Sequence, residues 1–167
     1  MMHRVKGRKL GHGSTHNNSI EKHILLGLFK HGQIITTIKR AKEYAPAADK
    51  MITYAKKAER KIEEMTTKLK AKQVSDEEIA KEAKAIRLHY FRIVLSKLSD
   101  IKVVRRLFNE IAPLVKERKG GYTSVLRFNK RRVGDNTQLA ILKLVEKPET
   151  KVDAPKTADQ IKKDKEK

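Results

Sequence analysis

The sequence contains no cysteine and no tryptophan, and only 5% of its residues are aromatic. The absence of cysteine excludes disulfide bonds, cysteine-ligated zinc and thiol catalysis. The longest apolar run, residues 24–29, is far shorter than the ~20 residues of a membrane-spanning helix, so we expect neither a membrane protein nor a secreted one. With 167 residues, of which 38% are hydrophobic, the chain has room for one domain with a modest core.

Acidic residues are also scarce, since 20 Asp and Glu face 40 Lys and Arg, which leaves a net charge of +20. Such a charge attracts polyanions, and nucleic acid is the first partner to consider. The excess is concentrated at the front, because residues 1–42 hold nine Lys and Arg but a single acid, Glu21. The basic residues of 56–106 alternate with Asp and Glu instead, which is typical of a solvated surface.

Residues 1–14 contain three glycines and no apolar periodicity, which predicts an extended basic arm. A segment that cannot neutralise its own charge is suited to phosphate. A basic, acid-poor N-terminus is also typical of an organelle transit peptide, but residues 1–18 have too few apolar side chains for an amphipathic helix face. We therefore interpret the arm as a nucleic-acid contact.

The remaining chain alternates between helical and strand patterns. The first predicted helix is capped by Ser14 or Thr15 and ended by Gly32, and a strand follows at 33–38. Three more helices are predicted: one from Ala41 with Pro46 in its first turn or at a kink, one capped by Ser75 and Glu78, and one at 100–112 with Pro113 just beyond it. Two strands follow at 122–128 and 138–145. Two stripes with four-three spacing, 51–69 and 79–98, predict an antiparallel helical hairpin. The last two strands predict a β-hairpin with a basic tip at Lys130, Arg131 and Arg132. The charged segment from Lys147 is predicted to be disordered.

No constellation of residues indicates catalysis or a cofactor. His12 and His16 have metal-ligand spacing on a helix, but no carboxylate or thiol lies near enough to complete the ligand set. The segment Gly7-Arg8-Lys9-Leu10-Gly11 follows no strand and lacks the order of a nucleotide-binding loop. We therefore expect no enzyme, no metal and no cofactor.

Several motifs, in order along the chain, resemble the bacterial-type large-subunit ribosomal protein L-seventeen family. They are His3-Arg4, residues 7–11, Ser14-Thr15-His16, residues 35–37, 41–43 and 51–57, Leu107-Phe108 with Glu110 to Pro113, Arg118, residues 120–123, Arg131-Arg132, Gly134-Asp135 and residues 140–145. The resemblance begins at residue 2 or 3, so we expect no presequence. It implies an α+β fold with helices packed on a small three-stranded sheet, in which residues 34–38 join the C-terminal hairpin.

The resemblance also implies binding to large-subunit ribosomal RNA, with neighbouring ribosomal proteins at the rim of the polypeptide exit tunnel. Carried over by position, its RNA-facing residues are His3, Arg4, Gly7, Arg8, Lys9, Gly11, His16, Arg131 and Arg132. From their chemistry and place we add Lys6, His12, Ser14, Asn17, Asn18, Lys39, Arg40 and Lys42. An irregular basic arm suits folded RNA better than a regular duplex groove.

The chain departs from the family pattern at two places. Asn17 and Asn18 stand where family members usually have basic residues, so contacts there are weaker or more directed to bases. The stretch from about 58 to 85 is longer than usual, and we expect it to form a helical-hairpin insertion in a single domain spanning 15–146.

The sequence therefore predicts a structural, rRNA-binding protein of the large subunit, in the cytoplasm on a bacterial ribosome. A mitochondrial or plastid ribosome is the alternative location. The rival function is a DNA-binding architectural protein with a coiled-coil interaction arm, which leaves the ordered motifs without an explanation.

Overall fold

A computed structural model of the chain describes residues 7–8, 10–11, 13–72 and 74–146. Among the predicted contacts, His3, Arg4, Lys6, Lys9 and His12 lie outside the described residues, as does the predicted disordered tail from Lys147. The described part is an α+β fold, as predicted. Its elements are α1 (Ser14–His31), β1 (Gln33–Thr37), α2 (Ile38–Ala71), α3 (Asp76–Leu98), α4 (Ile101–Arg106), a π-helical segment (Leu107–Ile111), α5 (Ala112–Leu114), β2 (Thr123–Arg131) and β3 (Gln138–Leu144).

The three strands form one antiparallel sheet in the order β1-β3-β2. The first strand therefore pairs with the last one, as the family resemblance implied. Along β3, Ala140, Leu142 and Leu144 are buried while the residues between them are half-buried, which is the alternation of a strand with one covered face. The helices cover this face.

The core lies between the sheet, α1, the first half of α2, the second half of α3 and the helical segment that follows. Its largest fully buried side chains are Leu25, Leu28, Phe29, Ile52, Val94, Leu98, Val104, Leu107, Ile111, Val115, Leu142 and Leu144. Along α2 the last fully buried residue is Ala58, and beyond it α2 and α3 contact mainly each other. The predicted antiparallel hairpin is present and projects from the core.

Several predicted helix boundaries were wrong by a few residues. Gly13, not Ser14 or Thr15, is the N-cap of α1, and Ser14 is already helical. The strand β1 ends at Thr37, and α2 begins at Ile38 rather than Ala41, since the chain passes directly from strand to helix. Gly32 ends α1 as predicted, in the left-handed conformation with φ 73° that glycine adopts without a steric penalty.

Pro46 and Pro113, the two prolines among the described residues, both lie inside helical segments. Pro46 is in the interior of α2 rather than in its first turn. Proline has no backbone N–H, so the carbonyl of Lys42 lacks its usual helical donor. Because Pro46 and Lys42 are both exposed, water can reach this carbonyl. Pro113 lies in α5 instead of beyond the helix, because a π-helical segment extends the helical path to Leu114. At the sheet, β2 continues to Arg131, past the predicted end at residue 128.

The N-cap residues of α3 and α4 differ in their hydrogen bonds. The Asp100 carboxylate oxygen Oδ1 accepts hydrogen bonds from the backbone N–H of Lys102 at 2.8 Å and of Val103 at 3.3 Å. Ser75 is the N-cap of α3, but its side chain makes no capping hydrogen bond, so the predicted capping box with Glu78 is absent.

This difference predicts unequal effects of cap removal. Asp100→Ala is expected to lower the free energy of unfolding by about 1 kcal/mol, because two backbone donors lose their acceptor. Asp100→Asn keeps an acceptor without the charge and should retain most of the stability, and Ser75→Ala should cost clearly less than Asp100→Ala. Urea denaturation of the three variants measures this, and equal losses for Asp100→Ala and Ser75→Ala would contradict the assignment.

Candidate nucleic-acid interface

The sheet register brings two basic segments to the same end of the sheet. Thr37, the last residue of β1, pairs with Leu139, and the neighbouring Gln138 pairs with Arg131 of β2. Since adjacent strands lie about 4.8 Å apart, the start of α2, directly after Thr37, lies near the tip of the β2–β3 hairpin. We call this region the basic end; its described cations are Arg8, Lys39, Arg40, Lys42, Lys130, Arg131 and Arg132.

The described part of the N-terminal arm lies against the same region. The Arg8 guanidinium is 3.8 Å from the Glu43 carboxylate in the second turn of α2. A Cβ atom on Gly7 would approach Glu43 Oε1 to 3.4 Å, so the arm backbone passes close to this carboxylate. Glu43 therefore holds the arm beside Lys39, Arg40 and Lys42.

Further along, the arm packs on the first turn of α1. A Cβ atom on Gly11 would lie 2.3 Å from the ring carbon Cδ2 of His16 and 2.8 Å from Asn17 Oδ1. Glycine at this position thus permits a close approach that a larger residue allows only if these side chains move. Asn17 Oδ1 is buried and has no hydrogen-bond partner among the described residues.

The two helices that begin near the arm, α1 and α2, have no acidic residues in their first turns, where a negative charge is usually favourable. The N-cap of α1 is Gly13, which has no side chain, and the Thr37 side chain at the N-cap of α2 makes no capping hydrogen bond. In contrast, α3 begins with Asp76, Glu77 and Glu78. Because a helix N-terminus carries a partial positive charge, the free N–H groups of α1 and α2 add to the attraction for anions.

The acidic start of α3 lies far from the basic end. The 34 residues of α2 separate the two along the hairpin, a distance of about 50 Å at 1.5 Å per residue. The acids at the start of α3 therefore cannot neutralise the basic end, where Glu43 and Asp135 pair with Arg8 and Arg132.

Tyr44 connects the arm-proximal parts of α1 and α2. Its hydroxyl donates to the backbone carbonyl of Asn17 at 3.5 Å, and its side chain is buried. Burial raises the pKa of Tyr44, with Glu21 and Glu43 acting in the same direction and Arg40 opposing them. The phenol therefore stays protonated and remains a donor across the physiological pH range.

The loop at the hairpin tip contains one acid among its cations. Asp135 Oδ1 accepts a hydrogen bond from the Thr137 backbone N–H at 3.2 Å, and Oδ2 lies 3.3 Å from the Arg132 guanidinium. Hydrogen bonds from Thr137 lower the pKa of Asp135, and Arg132 contributes in the same direction. The carboxylate thus shapes the loop that presents Arg131 and Arg132.

This pKa shift predicts a pH dependence confined to the loop. A carboxyl whose pKa is lower in the folded state stabilises the loop above its ordinary pKa, and that stabilisation is lost as the pH falls through the lower folded-state value. The Thr137 amide signal in NMR spectra is expected to shift in that acidic range, and Asp135→Asn should abolish the transition. A transition at the ordinary aspartate pKa would contradict the hydrogen bonding described here.

The other predicted contact residues occupy different environments. Ser14, His16 and Asn18 are exposed on the first turns of α1, and Lys39, Lys42, Arg131 and Arg132 are exposed as well. Arg40 is half-buried, and the Asn17 side chain faces inward through its oxygen. Lys130 is exposed beside Arg131 but was not among the predicted contacts; the basic run 130–132 was the signal that could have included it.

Two of the family motifs serve packing rather than the basic end. Tyr122 is buried, and the Lys56 ammonium lies 5.0 Å from its ring centre and 3.2 Å from its hydroxyl. Gly121 precedes it with φ 64°, a left-handed conformation, and Thr123 donates to Asp49 at 3.0 Å. In the second motif, residues 107–113, the side chains of Leu107, Phe108, Ile111 and Ala112 are buried.

Neither a metal site nor a membrane span is found in the described part of the chain. No group of three or more His, Asp and Glu side chains among residues 7–8, 10–11, 13–72 and 74–146 is arranged to hold a metal ion. Over the same ranges, every helix is too short or too polar to cross a bilayer.

Comparison with known proteins gives a consistent result. The family model described as "Ribosomal protein L17" matches residues 20–145. "Large ribosomal subunit protein bL17" of Thermus thermophilus is 36% identical over 146 residues, which are 87% of this chain and 100% of the relative. The protein of the same name from Desulfotalea psychrophila is 37% identical over 150 residues, 90% of this chain and 94% of the relative. That of Dictyoglomus thermophilum is 34% identical over 145 residues, 87% and 100% of the two chains.

The fold and these matches define a ribosomal protein, a structural class rather than an enzyme. The chain belongs to the ribosomal protein L17 family of the large ribosomal subunit, which confirms the resemblance seen in the motifs.

Proposed function

We propose that the chain binds large-subunit rRNA through the basic end and stabilises the folded structure of that rRNA near the polypeptide exit tunnel. The observation that carries the proposal is the convergence of three basic segments at one end of the sheet. The arm reaches it through Arg8 and Glu43, the start of α2 through strand β1, and the hairpin tip through the Arg131–Gln138 pair.

Binding would act by neutralising phosphates where rRNA segments crowd together. Arg and Lys donate charge-assisted hydrogen bonds to phosphate oxygens, and the glycines of the arm let its backbone approach the RNA closely. The free N–H groups at the starts of α1 and α2 offer further donors to the same phosphates. Helices of rRNA that repel each other could then lie side by side.

Membership of a large-subunit family favours rRNA over DNA as the nucleic acid, since a DNA-architectural role leaves the family motifs unexplained. The relatives are bacterial proteins, which supports a cytoplasmic, bacterial ribosome. Position at the exit-tunnel rim and contact with neighbouring ribosomal proteins follow from the resemblance alone. A density map of the assembled subunit that shows the chain away from the rim would contradict that position.

Sedimentation of a cell lysate tests the function against the DNA-binding alternative. The chain is expected in the large-subunit peak in a one-to-one ratio with other subunit proteins, and treatment with DNase should not release it. Release by DNase, or presence far below one copy per subunit, would contradict the proposal. Mild digestion with RNase is the comparison for the DNase treatment and should release the chain from the large-subunit peak.

A further inference from the structure

One side of α3 carries apolar residues that the rest of the fold leaves partly or largely exposed. Ile79, Tyr90, Val94 and Leu98 of α3 are buried against the rest of the fold. At 100° per residue, Leu88 is turned by about 120° or more from Ile79, Tyr90 and Val94. Leu95 is half-buried and packs against the edge of the core. Leu88 is 47% exposed, and Ile101, just beyond the helix, is 50% exposed.

Two shallow grooves follow one another along this face. The first is lined by Lys84, Arg87, Leu88 and Phe91. The second is lined by Arg92, Leu95, Ser96, Ser99 and Ile101. We call the two together the α3 groove. No acidic residue lines either part, so the apolar floor is bordered by cations.

The first part of the groove has a defined shape. The Phe91 ring packs against Phe108 of the π-helical segment, with ring centres 5.7 Å apart. The Arg87 guanidinium donates to Asn109 Oδ1 at 2.6 Å, which fixes it at the edge of the groove. The π-helical segment therefore supports both the floor and one border, and such segments are frequent at functional sites.

The chemistry of the groove favours a protein over RNA. Single-stranded RNA is held by bases stacked on exposed aromatic rings, whereas the exposed large apolar residues of the described chain are all aliphatic and Phe91 is half-buried. A second copy of the chain is unsuited to the groove, because each copy carries a net charge of +20. An acidic protein segment complements Lys84, Arg87 and Arg92.

We propose that the α3 groove is the docking surface for an acidic amphipathic helix of another protein. Leu88 and Leu95 are seven residues apart, about 10 Å along the axis of α3. A partner helix lying along α3 can place apolar residues spaced by seven into the two parts of the groove, with carboxylates beside the cations. This surface is distinct from the basic end and leaves it free for rRNA.

A pair of synthetic peptides tests the proposal on the full-length protein. One is an acidic helical peptide with leucines at i, i+4 and i+7, and the other has the same composition with the leucines scattered around the helix. Measured by fluorescence anisotropy, the amphipathic peptide should bind about tenfold more tightly, since only it can bury leucines in the groove. Equal affinities would overturn the proposal, because charge alone then accounts for binding.

Variants locate the binding on the protein. Leu88→Gln combined with Ile101→Gln changes one exposed apolar residue in each part of the groove, leaves the net charge unchanged and should abolish the preference for the amphipathic peptide. Leu114→Gln, at a leucine that is also 47% exposed but lies in α5, should retain it. Retention of the preference by the double variant would overturn the proposal.

A second experiment in the assembled subunit rests on the proposed function. Because the chain has no cysteine, Leu88→Cys provides a single thiol for cross-linking. A cross-link to an acidic helix of a neighbouring protein supports the proposal, whereas a cross-link to rRNA or to a second copy overturns it. If the chain is absent from the subunit, the proposed function fails while the peptide result still decides the groove.

Discussion

Replacing Lys39, Lys42, Arg131 and Arg132 together with alanine is expected to weaken binding to deproteinised large-subunit rRNA and to flatten its salt dependence. Each phosphate contact contributes a slope of about −0.9 to a plot of log affinity against log salt for duplexes, and about −0.7 for single strands. Loss of four contacts should therefore make the slope less steep by about three to four. Filter binding over a range of salt concentrations measures the change.

A matched control separates local contacts from net charge. Lys68, Lys70, Lys72 and Lys81 are exposed near the far turn of the helical hairpin, and their replacement by alanine removes the same charge. This variant should keep the slope of the unmodified protein, because its lysines lie far from the basic end. Equal flattening in both variants would mean that overall charge, rather than the basic end, drives binding.

The second large effect concerns the core. Leu28→Ala is expected to lower the free energy of unfolding by about 2 to 5 kcal/mol, since the leucine is completely buried and its loss leaves a cavity. Leu114→Ala makes the same change in another helical segment, where the side chain is half-exposed, and should cost much less. Urea denaturation followed by circular dichroism compares the two. Similar midpoints would contradict the burial of Leu28 in solution.

The two effects are separable in a single set of proteins. Leu28→Ala should leave the salt slope of rRNA binding unchanged wherever the variant is still folded, because no cation is lost. The four-residue variant of the basic end should unfold near the same urea concentration as the parent, since its side chains are exposed. An effect of either variant on both measurements would show that the basic end and the core are coupled.

The types of the main elements were predictable because each rests on local patterns. The four-three spacing at 51–69 and 79–98 predicts the hairpin of α2 and α3, and Gly32 predicts the end of α1. Boundaries were less predictable, because competing contacts decide them. Ser75 begins α3 as its residue type suggests, yet its hydroxyl makes no capping bond. The π-helical segment at 107–111 has no local signature that places it before Pro113.

Some features of the candidate site were likewise predictable from local sequence, whereas others depend on tertiary contacts. The excess of cations over acids in residues 1–42 is a property of composition, and it identified the arm, Lys39, Arg40 and Lys42 without a structure. Proximity of these cations to Arg131 and Arg132 depends on pairing between residues distant in sequence. The inward-facing oxygen of Asn17 and the ion pair of Arg8 with Glu43 depend on packing between elements, so no local pattern indicates them.

By itself, the sequence determined that this protein is a basic α+β chain whose cations are concentrated at the front, and its ordered motifs determined the family. Only the tertiary structure decided that the arm, the start of α2 and the hairpin tip share one end of the sheet. The physical reason is the register of β1 on β3, set by burial of Ala140, Leu142 and Leu144 on the covered face. Burial of Tyr90, Val94 and Leu98 against the other helices likewise decided that Leu88 is exposed.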